Sequence, residues 1–245
     1  LISEMNPAQI WSAYIRYIGA GAVLAGGLIT LSRTIPTIVS SAIEGLKSIS
    51  GGAAGKGLRT EREIPMSMVL IGSLLVALFL ALAPGMPLQG NILAALLIVV
   101  FGFFFSTVSS RITGLIGSSS NPISGMTIAT LILTCLLFVA LGWTGDTYGP
   151  VAICVGAVVC IAAANAGNTS QDLKTGYILG ATPLYQQLGL IIGVLVSASV
   201  IGLTTLYLHK VFTIGSQGIA APQATLMATI IKGLLCQNLP SGLVL

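Results

Sequence analysis

Long unbroken apolar runs separated by short polar stretches make up most of this chain. No Asp, Glu, Lys or Arg occurs over residues 64–110, 112–145, 147–171, 175–209 or 211–231. Each gap holds one or two helices of about 20 residues, the length that crosses a hydrocarbon core of roughly 30 Å. The pattern predicts spans at 8–31, 65–84, 90–109, 123–142, 149–166 and 186–208, with a partial seventh over 222–245. A membrane barrel would alternate apolar and polar positions over about ten residues, whereas these runs are continuous. The expected fold is therefore all-α, a polytopic transmembrane helical bundle with re-entrant or broken helices, forming a single transmembrane domain over 1–245.

One segment has a different period. Ile35, Ile38, Val39, Ala42, Ile43, Leu46 and Ile49 recur at three- and four-residue spacing, with Ser40, Ser41, Glu44, Lys47 and Ser48 opposite. That predicts an amphipathic interfacial helix over 34–50. The G-G-A-A-G-K-G run at 51–57 then breaks it. The run is one residue too short for a phosphate-binding loop, and Gly57 stands where that motif needs Ser or Thr.

Composition sharpens the picture. Of 245 residues 55% are hydrophobic and only 7% charged, against roughly 25% charged in soluble domains, which leaves nothing from which to build a second, soluble core. The 30 glycines suit close helix approach. A net charge of +4 is spread over connections and span ends, which argues for membrane orientation and against a nucleic-acid partner. Arg33, Lys47, Lys56, Arg59 and Arg62 share one connection and place it in the cytoplasm. Arg111, Asp172 and Lys174 then fall inside; Asp146, His209 and Lys210 fall outside, Lys210 against the rule. Cys135, Cys154, Cys160 and Cys236 lie in apolar runs without C-x-x-C spacing, so neither structural zinc nor a disulfide framework is expected. No metal or other cofactor is expected. The chain opens without Met and stops inside an apolar stretch, and the expectation is a piece of a longer protein whose remaining segments are its partners.

Two stretches combine Gly, Ser, Asn and Pro with membrane depth, the pattern of interrupted helices around transporter sites. In G-L-I-G-S-S-S-N-P-I-S-G-M at 114–126, Ser118, Ser119, Ser120, Asn121, Pro122 and Ser124 are candidate substrate-binding residues. Pro122 lacks an N–H and biases Asn121 away from helix, so a span starts there with its positive end facing the loop. The stretch reads either as an anion-binding helix end or as a turn capped by Ser120 or Asn121. In the second stretch, Asn165 and Asn168 close a span, Thr169 or Ser170 caps the next segment, and Gln171 and Asp172 follow. Asn165, Asn168, Ser170 and Gln171 are candidate substrate contacts. Asp172 is the candidate proton-coupling carboxylate, a role that needs burial, or else a capping residue. Lys174 is open to carboxylate binding or snorkelling, Arg16 to interface anchoring or substrate attraction, and His209 to interface placement or proton relay.

The strings G-N-T-S-Q-D-L-K-T-G-Y-I-L-G-A-T-P-L-Y-Q-Q at 167–187 and G-S-S-S-N-P-I-S-G-M-T at 117–127 resemble the oligopeptide transporter (OPT) family, close to its prokaryotic branch. Y-I-R-Y-I-G-A-G-A-V at 14–23 and A-P-Q-A at 221–224 extend the resemblance over nearly the whole chain, while Ser241 departs from the aromatic residue expected after Pro240. The resemblance implies a larger secondary transporter in the cell membrane. It would be proton-coupled and carry small peptides, glutathione-like compounds or, in the yellow-stripe-like branch, metal chelates. Two rivals stand beside it: a passive channel with a constriction at 117–121, and a membrane-embedded enzyme, for which the sequence offers no nucleophile–base or carboxylate pair.

Overall fold

The computed structural model describes residues 5–15, 58–88, 90–216 and 219–235, together with isolated positions between 18 and 40. Arg16 and several other positions of the 8–31 span, most of the amphipathic 34–50 segment, the 51–57 loop, Cys236 and Ser241 lie outside the described residues. Among the described residues there is no strand. Six helices carry the fold: α1 Met66–Leu82, α2 Ile92–Ile116, α3 Ile123–Ala140, α4 Gly149–Leu179, α5 Pro183–Phe212 and α6 Pro222–Leu235. The helical stretches ending in α1 to α5 are each long and apolar enough to cross a membrane.

Local chemistry sets the helix ends. Asn91 caps α2, its Oδ1 accepting from the Ala94 N–H at 3.0 Å. The α2–α3 turn needs a positive φ at Gly117 (84°), makes one 3-10 turn at Ser118–Ser120, and restarts as helix behind Pro122. Helix α4 ends in a Schellman motif, with Gly180 left-handed, its N–H on the Tyr177 carbonyl and the Ala181 N–H on the Gly176 carbonyl. Pro183 then opens α5 at a position where its missing N–H is not needed.

Helix α4 is the hub. It contacts α2 most extensively, and also α3, α5 and α6. Its buried face is small: Ala152, Gly156, Ala163 and Gly167 alternate with Val155 and Val159. A Cβ built on Gly156 would lie 2.5 Å from Leu131 Cδ2, so glycine sets the α3–α4 separation. Phe105, Val108, Phe138 and Cys135 fill the remaining core. On α3, Thr127 and Thr130 return their hydroxyls to the Ile123 and Met126 carbonyls at 2.9 Å, so polar side chains are buried without opening the backbone. Cys135, Cys154 and Cys160 are free thiols.

The two ends of the bundle differ in chemistry. At the first, Trp143 stacks on Tyr148 (centroids 5.4 Å apart, 10° between planes) with Phe138 beside both. Amphipathic rings belong at the water–hydrocarbon boundary. About 20 helical residues from that level, roughly 30 Å, the opposite boundary falls near Arg111 on α2 and Thr169 on α4. Helix α4 continues past it to Leu179, where the basic connection meets it: Arg59 Nη1 donates to Thr182 Oγ1 at 3.0 Å and Nη2 to the Gly180 carbonyl at 2.9 Å. A cation on the last carbonyl of a long helix also complements the helix dipole.

Two expectations are corrected. Residues 165–170 do not interrupt the membrane fold; α4 runs unbroken from Gly149 to Leu179, and Asp172 is mid-helix rather than a cap. The segment contains no proline, its polar residues sit at the level where the helix leaves the hydrocarbon, and Gly167 is a packing position. The α2 helix itself runs on past the expected span end at 109 to Ile116, because Ser109 and Thr113 face protein.

Candidate functional site

The last turns of α2, the 117–122 turn and the middle of α4 converge on a polar junction. Ser109 is fully buried and Thr113 is 5% exposed. Asn121 Nδ2 donates to Ser109 Oγ at 2.6 Å, and the Ser109 hydroxyl donates to the Ala163 carbonyl of α4. Gly167 makes this possible: a Cβ there would lie 2.8 Å from both Asn121 Nδ2 and Thr113 Oγ1 and 3.0 Å from Ser109 Oγ. Two further bonds tie turn to helix. The Ser118 N–H donates to Gln171 Oε1 at 3.2 Å, and Ser170 Oγ donates to the Ser110 carbonyl at 3.4 Å.

The junction is left incomplete. Thr113 Oγ1 and Asn121 Oδ1 are both buried without a hydrogen-bond partner among the described residues. Each such atom costs about 1–3 kcal/mol, so two in one cluster mark a place where a further polar group would be stabilised. The start of α3 lies alongside, and no side chain caps it, which leaves its positive end available.

Of the residues singled out from sequence, Ser118, Asn121, Ser170 and Gln171 are brought together here. Pro122 is half-buried at the α3 start; Ser119, Ser120 and Ser124 are exposed around the same turn. Asn165 and Asn168 point away from the junction on the exposed side of α4. Asp172 is exposed, and its backbone carbonyl accepts from Gln186 Nε2 at 3.1 Å. Sequence reasoning missed Ser109, Thr113 and Gly167. The available signal was density: residues 92–105 of α2 carry no polar side chain, whereas Ser106, Thr107, Ser109, Ser110, Arg111 and Thr113 follow within two turns. Among the described residues no three His, Cys, Asp or Glu side chains group as metal ligands.

A bundle of helices long enough to cross a bilayer, with a polar junction beside the α2–α3 turn, is the architecture of an integral membrane protein. Residues 2–245 match the family described as OPT oligopeptide transporter protein, and the chain belongs to that family. It is also similar to a Haemophilus influenzae protein named "Putative oligopeptide transporter", with 30% identity over 260 residues covering 94% of this chain and 41% of that protein. The chain thus spans about two fifths of the length of that curated relative. No solved structure matches.

Proposed function

We propose that this chain is part of a secondary transporter for small peptides or peptide-like solutes, metal chelates included. In this proposal the 117–122 turn and the facing side of α4 line its substrate path. The supporting observation is the pair of buried, unpartnered oxygens on Thr113 and Asn121 beside the uncapped start of α3. A peptide offers amide N–H groups to such oxygens and a carboxylate to such a helix end. Ser118, Ser119, Ser120, Asn121, Pro122, Ser124, Ser170 and Gln171 are the substrate-side residues in this proposal, with Asn165 and Asn168 farther along the α4 surface.

Proton coupling belongs to the same proposal, with Asp172 its candidate carboxylate in this chain; Asp172 is exposed here, so the role further requires that other segments of the full-length protein cover it. The basic end of the bundle, where Arg59 meets Gly180 and Thr182, faces the cytoplasm by the Lys/Arg rule. The test is uptake into proteoliposomes by the full-length protein, with unlabelled di- to tetrapeptides and iron chelates as competitors. Asn121→Leu is expected to abolish saturable uptake while leaving insertion intact, and Asp172→Asn to flatten its pH dependence. Saturable uptake by Asn121→Leu at the wild-type rate would remove the junction from the path, and an unchanged pH profile in Asp172→Asn would remove Asp172 from coupling.

A further inference from the structure

Helix α2 carries a second polar surface that the junction does not use. Ser106, Thr107, Ser110, Arg111, Gly114 and Leu115 line a recess of about 690 Å³ on its flank. At 100° per residue this face is turned roughly a third of a revolution from the one that Ser109 and Thr113 present to α4. Ser110 sits between the two, its carbonyl already holding Ser170. Every lining residue comes from this one helix, so the recess is open on the side away from it.

Its polar groups are open. Arg111 is exposed, and it makes no ion pair or side-chain hydrogen bond with another described residue. The hydroxyls of Ser106 and Ser110 likewise have no partner among the described residues, while Thr107 donates to the Phe103 carbonyl at 2.9 Å. Beyond Arg111, Gly114 leaves its side of the helix clear, with nothing within 4 Å of a built Cβ. A guanidinium with five N–H groups and two hydroxyls therefore line the same open recess. An arginine that only snorkels needs neither the hydroxyls nor the hollow. A lipid-facing surface would not carry four hydrogen-bonding side chains in two turns.

We propose that this recess is a carboxylate subsite, with Arg111 gripping the terminal carboxylate of the transported solute and Ser106 and Ser110 completing its hydrogen bonds. The inference rests on the peptide reading above and adds a charge-selective anchor one helix face away from the junction. Guanidinium–carboxylate pairing is bidentate and charge-assisted, so the subsite discriminates a free C-terminus from an amidated one.

The experiment measures uptake by the full-length protein in vesicles of zwitterionic lipid alone and of the same lipid with an anionic one, using a tripeptide and its C-terminally amidated form. Wild type is expected to prefer the free acid. Arg111→Gln is expected to raise KM for the free acid about tenfold, the scale of one lost hydrogen bond to a charged group, and to leave the amide unchanged, with Arg111→Lys intermediate. Should Arg111→Gln fail to insert, the double variant Ser106→Ala, Ser110→Ala carries the same test: the preference for the free acid must shrink. Equal KM changes for acid and amide overturn the subsite. So does an effect seen only with anionic lipid, which assigns Arg111 to a headgroup. Wild-type uptake of neither peptide overturns the peptide reading itself, and normal uptake with unaltered selectivity in every variant overturns the subsite alone.

Discussion

Helices α4 and α5 are nearly equal in length, follow one another across a tight turn, and are both rich in glycine and alanine or valine. Their surroundings are opposite. Helix α4 buries Val151, Ala152, Val155, Gly156, Val159, Ala163, Gly167 and Gly176; α5 buries no residue along its whole length. Helix α5 is held at its first turn, where the Leu184 N–H reaches the Arg62 carbonyl and Gln187 Oε1 accepts from the Ile64 N–H at 2.8 Å. Apolarity inserts a helix into a membrane but does not place it within the bundle, because lipid chains satisfy leucine as well as protein does. What distinguishes α4 is the register of its small residues, which lets neighbours approach closely enough for packing and for the Ser109 to Ala163 hydrogen bond to form.

The sharpest way to break this contrast is to give both helices the same large side chain. Gly156→Leu drives carbon into Leu131 and is expected to cost 3 kcal/mol or so, at the upper end of overpacking. Gly193→Leu on α5 meets nothing within 4 Å. In detergent the first variant should lose monodisperse, heat-resistant protein and the second should match wild type. A loss at Gly193 in the full-length protein would show that further segments cover α5.

A smaller change probes the junction. Gly167→Ala places a methyl 2.8 Å from Asn121 Nδ2 and Thr113 Oγ1, and is expected to cost about 1–2 kcal/mol and to stop uptake. Gly202→Ala, in open space on α5, gains helix propensity instead, by up to about 1 kcal/mol. Equal thermal shifts in the two variants would contradict the assigned roles.

Much of the helix pattern was legible because bilayer thickness and absent charge leave few alternatives. Pro122 announced the α2–α3 break for a chemical reason, its missing N–H. The errors came from polar residues inside helices. A serine that faces another helix and a serine in a loop read alike in sequence, so nothing in it shows that the helices run on past the span ends, α2 by seven residues and α4 by thirteen. Gly167 was missed for a similar reason, since a packing glycine and a turn glycine differ only in what stands opposite. The Arg59 contact with Thr182 joins positions 123 residues apart and has no local signature.

Two weaker perturbations complete the series. Arg59→Ala removes both bonds to the α4–α5 turn, and interhelical hydrogen bonds in membrane proteins average about 0.6 kcal/mol. The expected result is a small drop in melting temperature with faster cleavage or labelling at residues 180–182; unchanged accessibility would show that the turn stands without Arg59. Thr134→Val deletes a fully buried hydroxyl that has no partner among the described residues. Its expected effect is between none and a slight gain in stability, and a clear loss would reveal an interaction at that oxygen.

The Ser118 bond to Gln171 fixes the α2–α3 turn about 12 Å short of the point where α4 stops. The basic face of the bundle is therefore stepped, not level: α4 and the root of α5 form a parapet, and Asn121 lies at its foot. On the proposed path, a solute leaving the junction on that side would meet a sheltered ledge before open water, and a protease approaching these residues from the same side would touch the parapet first.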